Sequence, residues 1–398
     1  MQNLKNKIFT SESVSEGHPD KVCDQISDAI LDKCLEQDPE SRVACECFAG
    51  KGFLVISGEI TTNAVVDYDK VARDTIRRIG YTEHELGFSA DTVAIMVMIN
   101  KQSPDIALRT CKEVGGAGDQ GIMFGYACNE TKELMPAPIM FSHSIVKRLA
   151  ELRKTPNSIE SKLLKPDAKS QVSVEYGLDG KVKRIDTIVV STQHSEQATQ
   201  AEIEELIKTK VIADCIPENL IDKNTNILVN PSGRFVIGGP MGDTGLTGRK
   251  IVVDTYGGKG RTGGGALSSK DPTKVDRTAA YMARYLAKNI VAAGIADECE
   301  IELAYAIGKA EPVAVYCNTF GTGKAPESAI EQFIQDNFDL TPYGMIKFLD
   351  LQKPQYEKLA AYGHMGREDL GVKWEDTRES DRFRRLIKHE DLADSTLL

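Results

Sequence analysis

Along the chain, segments with a strand-like pattern of apolar residues alternate with segments in which apolar residues recur at helical spacing. The run Phe53–Thr61 is rich in β-branched and aromatic residues, which predicts a strand. In residues 67–79, Val71, Thr75 and Ile79 recur at every fourth position, which predicts an amphipathic helix. This part of the chain therefore predicts a strand, a loop and a helix in that order.

The same order occurs twice more, each time about 130 residues further along the chain. Residues 185–192 precede a helical pattern at 201–212, and residues 312–319 precede another at 327–338. This interval is far longer than the roughly 20–50 residues of solenoid and propeller repeats. It predicts three related α+β domains rather than a repeat array, with chance recurrence as the alternative.

Turn-rich polar segments at 103–121 and 231–245 separate the three units. Residues 373–389 carry dense charges of both signs, so we expect a solvated helix or tail there. The expected divisions are an N-terminal domain at 5–103, a central domain at 115–236, a C-terminal domain at 238–375 and a charged tail at 376–398.

The composition is that of an ordinary globular protein: 398 residues, a net charge of −10, 41% hydrophobic and 27% charged. The negative charge argues against nucleic acid and membranes as partners, because both attract basic surfaces. The longest apolar stretch, 93–99, is far shorter than the roughly 20 residues of a membrane-spanning helix. The N-terminus has no signal-peptide pattern, so we expect a cytoplasmic protein.

Several common classes of site lack sequence support. The nine cysteines form no C-x-x-C pair, and the six histidines form no H-E-x-x-H motif. The sequence also lacks the G-x-S-x-G motif of hydrolases. A disulfide framework, a zinc site and a hydrolase triad are therefore not expected.

Two glycine-rich segments, 116–121 and 258–263, match G-x-G-x-x-G. A dinucleotide-binding fold needs a strand, a glycine turn and a helix in immediate succession. Strand-like residues follow Gly121 and further glycines follow Gly263, so neither context fits. An NAD(P)-dependent oxidoreductase therefore stays a poorly supported alternative.

The second glycine-rich segment is also rich in cations, in particular Lys259, Arg261, Lys270 and Lys274. Glycine-rich backbone and lysines together predict an anion site, with a solvated loop as the alternative. Lys270 is followed by Asp271, so the segment is not a standard P-loop. Nearby, Asp276 is placed either to cap the next helix or to bind Mg²⁺.

Six motifs in this order closely resemble the S-adenosylmethionine synthetase family over essentially the whole chain. They lie at 9–21 (FTSESVSEGHPDK), 116–121 (GAGDQG), 166–170 (PDAKS), 233–240 (GRFVIGGP), 245–250 (GLTGRK) and 263–266 (GGGA). The resemblance implies three α+β domains around a pseudo-threefold axis. It also implies a homodimer or homotetramer with active sites between subunits.

The implied activity is that of a methionine adenosyltransferase with ATP and L-methionine as substrates. The methionine sulfur attacks C5′ of ATP and displaces triphosphate, which is then hydrolysed to phosphate and pyrophosphate. A thioether has no proton to remove, so the first step needs no general base. The missing hydrolase triad agrees with this chemistry. A module that binds nucleotide without turnover is the non-enzymatic alternative.

The resemblance also implies roles for individual residues. His18 is expected to be an electrostatic catalyst, and a structural histidine at a helix end is the alternative. Phe235 is expected to stack on adenine, with a core role as the alternative, and Lys21 is a further candidate cation. The expected catalytic residues are His18, Lys169, Arg249, Lys250, Lys270 and Lys274. The expected ATP-binding residues are His18, Asp167, Ala168, Lys169, Arg234, Phe235, Asp243, Arg249, Lys250, Ala266 and Lys270.

For methionine, the resemblance implies Glu59, Gln102, Asp119, Asp243 and Lys274, with Asp119 contributed by the neighbouring subunit. Asp20 and Asp276 match the carboxylates that hold two Mg²⁺ ions per active site. Glu46 matches the K⁺-site carboxylate, and a plain surface carboxylate is the alternative. Residues 102–115 correspond to the mobile active-site loop of the family, and Leu267, Ser269 and Thr262 depart from its usual residues.

Overall fold

The computed structural model describes residues 6–101 and 116–387. Its strands are β1 (Lys7–Val14), β2 (Arg42–Gly50), β3 (Phe53–Thr61), β4 (Ala94–Asn100), β5 (Gly121–Cys128), β6 (Leu164–Tyr176), β7 (Val182–His194), β8 (Asn226–Val229), β9 (Gly245–Leu246), β10 (Glu298–Tyr305) and β11 (Ala314–Asn318). Its α-helices are α1 (Pro19–Leu35), α2 (Tyr68–Ile79), α3 (Ala137–Lys154), α4 (Ile159–Leu163), α5 (Gln200–Leu206), α6 (Ala213–Cys215), α7 (Ile251–Asp254), α8 (Val275–Ala292), α9 (Glu327–Asn337), α10 (Pro342–Leu349) and α11 (Ser380–Phe383). A π-helical segment, Ile207–Ile212, joins α5 to α6, and 3₁₀ turns lie at His84–Leu86, Glu218–Leu220, Gly239–Met241, Glu368–Leu370 and Lys373–Glu375.

The main elements follow the same order three times. The N-terminal unit has β1, α1, β2, β3 and α2, the central unit has β5, α3, β6, β7 and α5, and the C-terminal unit has β9, α8, β10, β11 and α9. The predicted strands at 53–61, 185–192 and 312–319 are confirmed as β3, β7 and β11. The predicted helices that follow them are confirmed as α2, α5 with its π-helical extension, and α9.

Each unit places its first strand in the sheet of another unit. β1 enters the central sheet, whose order is β1-β6-β7-β8, and β5 enters the C-terminal sheet, whose order is β11-β10-β5. β9 completes the cycle by joining the N-terminal sheet, whose order is β4-β3-β2-β9. This cyclic exchange fits three similar domains around a pseudo-threefold axis.

A long helix covers one face of each sheet: α1 packs on β2, α3 on β6 and β1, and α8 on β5 and β10. Helix α1 begins at Pro19, a position where the missing N–H costs no intrahelical hydrogen bond. Helix α2 begins after Asp67, whose side chain accepts from the Lys70 amide, and ends at Gly80 with φ 112°. These helices hold the loops at the strand ends on a rigid frame.

The other face of the N-terminal sheet, here called the outer sheet face, is largely apolar and open. Phe53, Met96, Met98 and Leu246 on this face are 36–57% exposed. Alternation along β2, β3 and β4 directs these residues away from the buried core. An exposed apolar surface of this kind marks an interaction site more often than a free surface.

The C-terminal segment differs from the expectation. A solvated segment at 373–389 is wrong for the part up to Phe383, because Trp374, Glu375 and Phe383 are buried. The Trp374 ring stacks on Tyr281 with centroids 3.9 Å apart. The Glu375 carboxylate accepts hydrogen bonds from Arg284 of α8 at 2.9 Å. Glu375 therefore pairs with a buried partner, whereas Arg378, Asp381 and Arg384 of the same segment are exposed.

Across 6–101 and 116–387, no helix combines the length and the apolar composition that crossing a membrane requires.

Candidate active site

The pairing of β1 with β6 brings two distant motifs together. Val14 at the end of β1 lies opposite Lys169, and the Ser15 amide donates to the Ala168 carbonyl at 2.9 Å. In the next turn, Gly17 lies so close to the Pro166 carbonyl that a Cβ atom has no room. The chain then enters α1, so His18 lies beside residues 167–169.

His18 is buried and is the N-cap residue of α1. Its Nδ1 atom accepts the backbone N–H of Asp20 at 3.2 Å, so the structural alternative of a helix cap is real. Burial, together with the charge of Lys250, lowers the pKa of His18 to about 3. The imidazole is therefore neutral, and since Nδ1 accepts, Nε2 carries the proton and is a donor.

Asp20 lies in the first turn of α1 and joins the motif at 245–250 to His18. Its carboxylate accepts from the Leu246 amide at 2.9 Å and from Lys250 Nζ at 2.5 Å. Arg249 Nε lies 3.9 Å from the same carboxylate. Burial opposes the charge, but the hydrogen bonds from Lys250 and Leu246 outweigh it and lower the pKa of Asp20. We call His18, Asp20, Lys169, Arg249 and Lys250 the His18 cluster.

Lys21 does not belong to this cluster. The expectation that it is a further cation for the polyphosphate is wrong. Its side chain is fully buried and pairs with Asp24 at 3.0 Å and with Asp254. Both partners are buried carboxylates, so the lysine neutralises charge inside the fold.

Asp167 lies next to this cluster with one oxygen unused. Its Oδ2 atom accepts from the Gly239 amide at 2.8 Å, whereas Oδ1 is buried and has no hydrogen-bond partner in the described part of the chain. Burial raises the pKa of Asp167 to about 6, and the nearby charge of Asp243 adds to the effect. An orphan buried acceptor of this kind is a candidate ligand contact.

The Phe235 backbone forms two hydrogen bonds with His194, at 2.9 and 3.0 Å, while its ring is half-buried. A fully buried core role therefore does not describe Phe235. Arg234 is exposed and pairs with Glu196 at 2.6 Å. These two residues stay candidate contacts for a nucleotide.

A second group of charged residues lines a cavity of about 300 Å³. Lys270 Nζ lies 2.6 Å from Asp276 Oδ2, and Lys274 pairs with Asp271. The capping alternative for Asp276 is not observed, because Lys274 is the N-cap of α8 and the Asp276 carboxylate turns to Lys270. Arg42 also lines this cavity, and we call the other charged residues of its lining the Lys270 cluster: Glu46, Asp119, Lys270, Lys274 and Asp276.

The surroundings of Asp276 fit a Mg²⁺ ion. A Cβ atom at Gly265 would collide with the Asp276 carboxylate, so glycine lets the backbone approach these oxygens closely while Asp276 still lines the cavity. Within the described ranges, no group of three or more His, Cys, Asp or Glu side chains is arranged to hold a metal. Mg²⁺ does not need one, since it usually takes one or two carboxylates together with substrate phosphates and water.

The remaining expected residues lie around these clusters. Glu46 and Glu59 are exposed on the outer sheet face, and Glu59 is opposite Ala44, which lines the cavity. Ala266 lies against Gly248, next to Arg249. Gln102 and the rest of the expected loop at 102–115 lie outside the described residues. Asp119 lines the same cavity as Lys270 of its own chain, and its contribution to a neighbouring subunit stays a prediction.

The two clusters adjoin one edge of β2. Leu246, beside the His18 cluster, pairs with Phe48, and Lys270 forms a bridge with Ala44. Four residues of a strand span about 13 Å. Two carboxylate–lysine pairs, Asp20–Lys250 and Asp276–Lys270, therefore flank the same strip of sheet.

Three family models of S-adenosylmethionine synthetase match the chain: the N-terminal domain at residues 6–104, the central domain at 114–235 and the C-terminal domain at 237–376. A protein from Brachyspira hyodysenteriae named S-adenosylmethionine synthase is 55% identical in an alignment of 394 residues that covers 96% of this chain and 99% of that protein. The chain belongs to the S-adenosylmethionine synthetase family.

Membership confirms the expected three-domain fold and methionine adenosyltransferase activity. Enzymes of this family use metal ions. The oxidoreductase alternative is wrong on structural grounds as well. Gly121 leads into β5, and the apolar run before Gly258 forms helix α7, so neither glycine segment joins a strand to a helix.

Sequence reasoning missed the buried carboxylates of α1 beyond Asp20. The signal was present, because Asp20, Asp24, Asp28 and Asp32 recur at every fourth residue and so share one face of the helix. A polar stripe is usually assigned to solvent, whereas here all four are buried.

Proposed function

We propose that the His18 and Lys270 clusters together bind ATP, L-methionine and two Mg²⁺ ions and carry both the adenosyl transfer and the triphosphate hydrolysis. The observation that carries the proposal is the pair of matching units, Asp20–Lys250 and Asp276–Lys270. Within one chain they lie at separate points along one edge of β2, next to the outer sheet face, so one unit of each kind can meet when a second copy packs there. A triphosphate needs both cations and metal-binding carboxylates, and each unit supplies one of each.

In the first step, the methionine sulfur forms a bond to C5′ while the C5′–O bond breaks. The electron pair leaves on the triphosphate, so negative charge grows at that oxygen. His18, neutral and protonated at Nε2, donates a hydrogen bond there, and Arg249 and Lys250 add positive charge. One such donor is worth about 3–4 kcal/mol of barrier, and alignment of sulfur with C5′ up to roughly 7–11 kcal/mol.

The polyphosphate is bound by Lys169, Arg249, Lys250, Lys270 and Lys274. Without substrate, Lys250 neutralises Asp20 and Lys270 neutralises Asp276, which stabilises the ionised form of each carboxylate. Asp20 and Asp276 would hold the two Mg²⁺ ions. When bound, these ions would neutralise phosphate charge and orient the triphosphate for cleavage.

Recognition of the organic parts falls to the residues around the clusters. Phe235 presents a half-buried ring for adenine, and Arg234 lies beside it in the chain. We also assign the buried residues Asp167 and Ala168 to ATP. The orphan Oδ1 of Asp167 suits an N–H donor of ATP. We assign Ala266 to ATP, Asp243 to ATP and methionine, and Glu59, Asp119, Gln102 and Lys274 to methionine. We assign Glu46, exposed beside the cavity, to K⁺.

We propose that the active form is a homodimer, or a tetramer built from two such dimers. The exposed apolar residues of the outer sheet face support a second copy there, and Glu46 and Glu59 lie on the same face. Because the two clusters lie at different points along β2, we infer that a two-fold axis through this face would place the His18 cluster of one copy opposite the Lys270 cluster of the other. The cytoplasmic location stays a prediction.

The experiment is a mass-spectrometric assay of the purified protein with ATP, methionine, Mg²⁺ and K⁺. We expect S-adenosylmethionine, phosphate and pyrophosphate in equal amounts, and none of them without methionine above a slow background. Accumulation of triphosphate would remove the second step from the proposal. ATP binding without S-adenosylmethionine would remove the first.

A further inference from the structure

The four aspartates of α1 all bind segments of the C-terminal domain. Asp20 accepts from the Leu246 amide at 2.9 Å, and Asp24 from the Gly248 amide at 2.8 Å. Asp28 accepts from the Ser269 amide at 3.2 Å, and Asp32 from the Tyr356 amide at 3.0 Å. The helix thus anchors successive loops with one carboxylate per turn.

Asp28 differs from the other three aspartates because its hydrogen-bond partners lie on both sides of the Lys270–Asp276 pair in the sequence. Its Oδ2 atom accepts from Ser268 Oγ at 2.9 Å and from Arg277 at 2.7 Å, in addition to the Ser269 bond at Oδ1. Ser269 directly precedes Lys270, and Arg277 directly follows Asp276. One carboxylate therefore holds the chain on both sides of the Lys270–Asp276 pair.

The segment that Asp28 holds is strained. Ser269 has φ +82°, a conformation that side chains other than glycine rarely adopt. The Ser269 carbonyl accepts from the Cys45 amide at 3.0 Å, and the Asp271 amide donates to Val43 of β2 at 3.0 Å. Because a strained residue persists only where its surroundings fix it, the bonds to α1 and β2 determine where Lys270 points.

We propose that Asp28 is a positioning residue for the triphosphate site: it sets Lys270 against Asp276 without touching substrate. The proposal rests on the proposed function in one respect, that Lys270 and Asp276 bind magnesium triphosphate. The Asp28 carboxylate accepts from three donors and is fully buried, as is Arg277. An asparagine at 28 would turn its NH₂ group toward either Arg277 or the Ser269 amide and lose one of these bonds.

Asp32 provides a matched control. It lies one turn further along the same face, is buried, and accepts backbone N–H groups of Gln355, Tyr356 and Glu357. None of these residues adjoins the Lys270 cluster in sequence. Loss of general docking of α1 should therefore affect Asp32→Asn as much as Asp28→Asn, whereas loss of positioning should affect only Asp28→Asn.

The test measures binding of magnesium tripolyphosphate by calorimetry, at a temperature where circular dichroism shows each variant folded. We expect the Kd to rise about 10-fold or more in Asp28→Asn and to stay within about 2-fold of wild type in Asp32→Asn, since supporting residues of metal sites commonly account for 10–100-fold. In turnover, Asp28→Asn should also need more Mg²⁺ for half-maximal rate and should release triphosphate.

An Asp28→Asn variant that binds like wild type would overturn the proposal, and so would an equal loss in Asp32→Asn. If Asp28→Asn does not fold, Ser268→Ala decides, because it removes one bond to Asp28 and leaves Arg277 paired. A weaker Kd in Ser268→Ala supports positioning, and an unchanged Kd contradicts it. Wild-type protein that neither binds magnesium tripolyphosphate nor makes S-adenosylmethionine would instead reject the proposed function.

Discussion

The backbone amide of Asp20 donates to Nδ1 of His18 at 3.2 Å, so a helix cap and a proposed catalyst share one side chain. The cap uses Nδ1, and the proposed chemistry uses the proton on Nε2. Because the two functions depend on different ring atoms, they are separable by substitution.

His18→Asn keeps an N-cap acceptor and removes the Nε2 donor, whereas His18→Ala removes both. We expect both variants to lose about 100-fold or more in adenosyl transfer, the effect of one lost oxyanion donor. Only His18→Ala should also lose about 1 kcal/mol of unfolding free energy, the usual value of a cap. Initial rates and thermal unfolding of the two variants check this. Full adenosyl-transfer activity in His18→Asn would exclude the electrostatic role of His18.

Gly265→Ala should displace the Asp276 carboxylate, because its Cβ atom meets that side chain. We expect the Mg²⁺ concentration for half-maximal activity to rise about 10-fold, as for other disturbed metal sites. Gly177→Ala, in the turn between β6 and β7, is the control, since its Cβ atom would meet only the exposed and flexible side chain of Asp179. Titration of both variants with Mg²⁺ measures the difference. If Gly265→Ala needs no more Mg²⁺ than wild type for half-maximal activity, the assignment of Asp276 to the metal site is contradicted.

Asp167 should make stability depend on pH. Burial raises its folded pKa from 3.8 to about 6, so the folded state keeps the proton longer than the unfolded state. The unfolding free energy therefore falls as pH rises from about 4 to about 6, by up to about 3 kcal/mol, and is level above. Asp167→Asn lacks this pH-dependent loss of stability, so the Tm of the variant relative to wild type should rise as the pH increases from about 4 to about 6. A Tm difference that is constant with pH would contradict this.

Glu375→Gln should destabilise the fold. The carboxylate is buried and pairs with Arg284 at 2.9 Å and with Lys288 at 2.7 Å. Removing one partner of a buried ion pair costs about 3–5 kcal/mol. Glu379→Gln, which breaks a partly exposed pair with Arg382, should cost less than about 1 kcal/mol. Denaturant unfolding compares them, and equal losses would mean that the segment after 373 is not packed as described.

The local pattern predicted the order of strands and helices, because the spacing of apolar residues in a strand or a helix depends only on residues that are close in the sequence. It did not predict that β1, β5 and β9 leave their own units, since pairing between distant strands is decided by the whole fold. The motif at 9–21 contains His18 and Asp20, yet nothing local distinguished Lys21, which is buried, from Lys169, which is exposed. Likewise, Glu375 resembled part of a solvated tail because its partners on α8, Arg284 and Lys288, are about ninety residues away.

The central claim, that one active site combines the His18 cluster of one copy with the Lys270 cluster of another, has a direct test. His18→Asn and Lys270→Ala chains with different tags are co-expressed, and dimers that carry both tags are purified. Each variant alone should be nearly inactive, whereas the mixed dimer has one intact site of two and should show about half of wild-type activity. Mixed dimers as inactive as the parents would contradict the claim and place both clusters in a site within one chain.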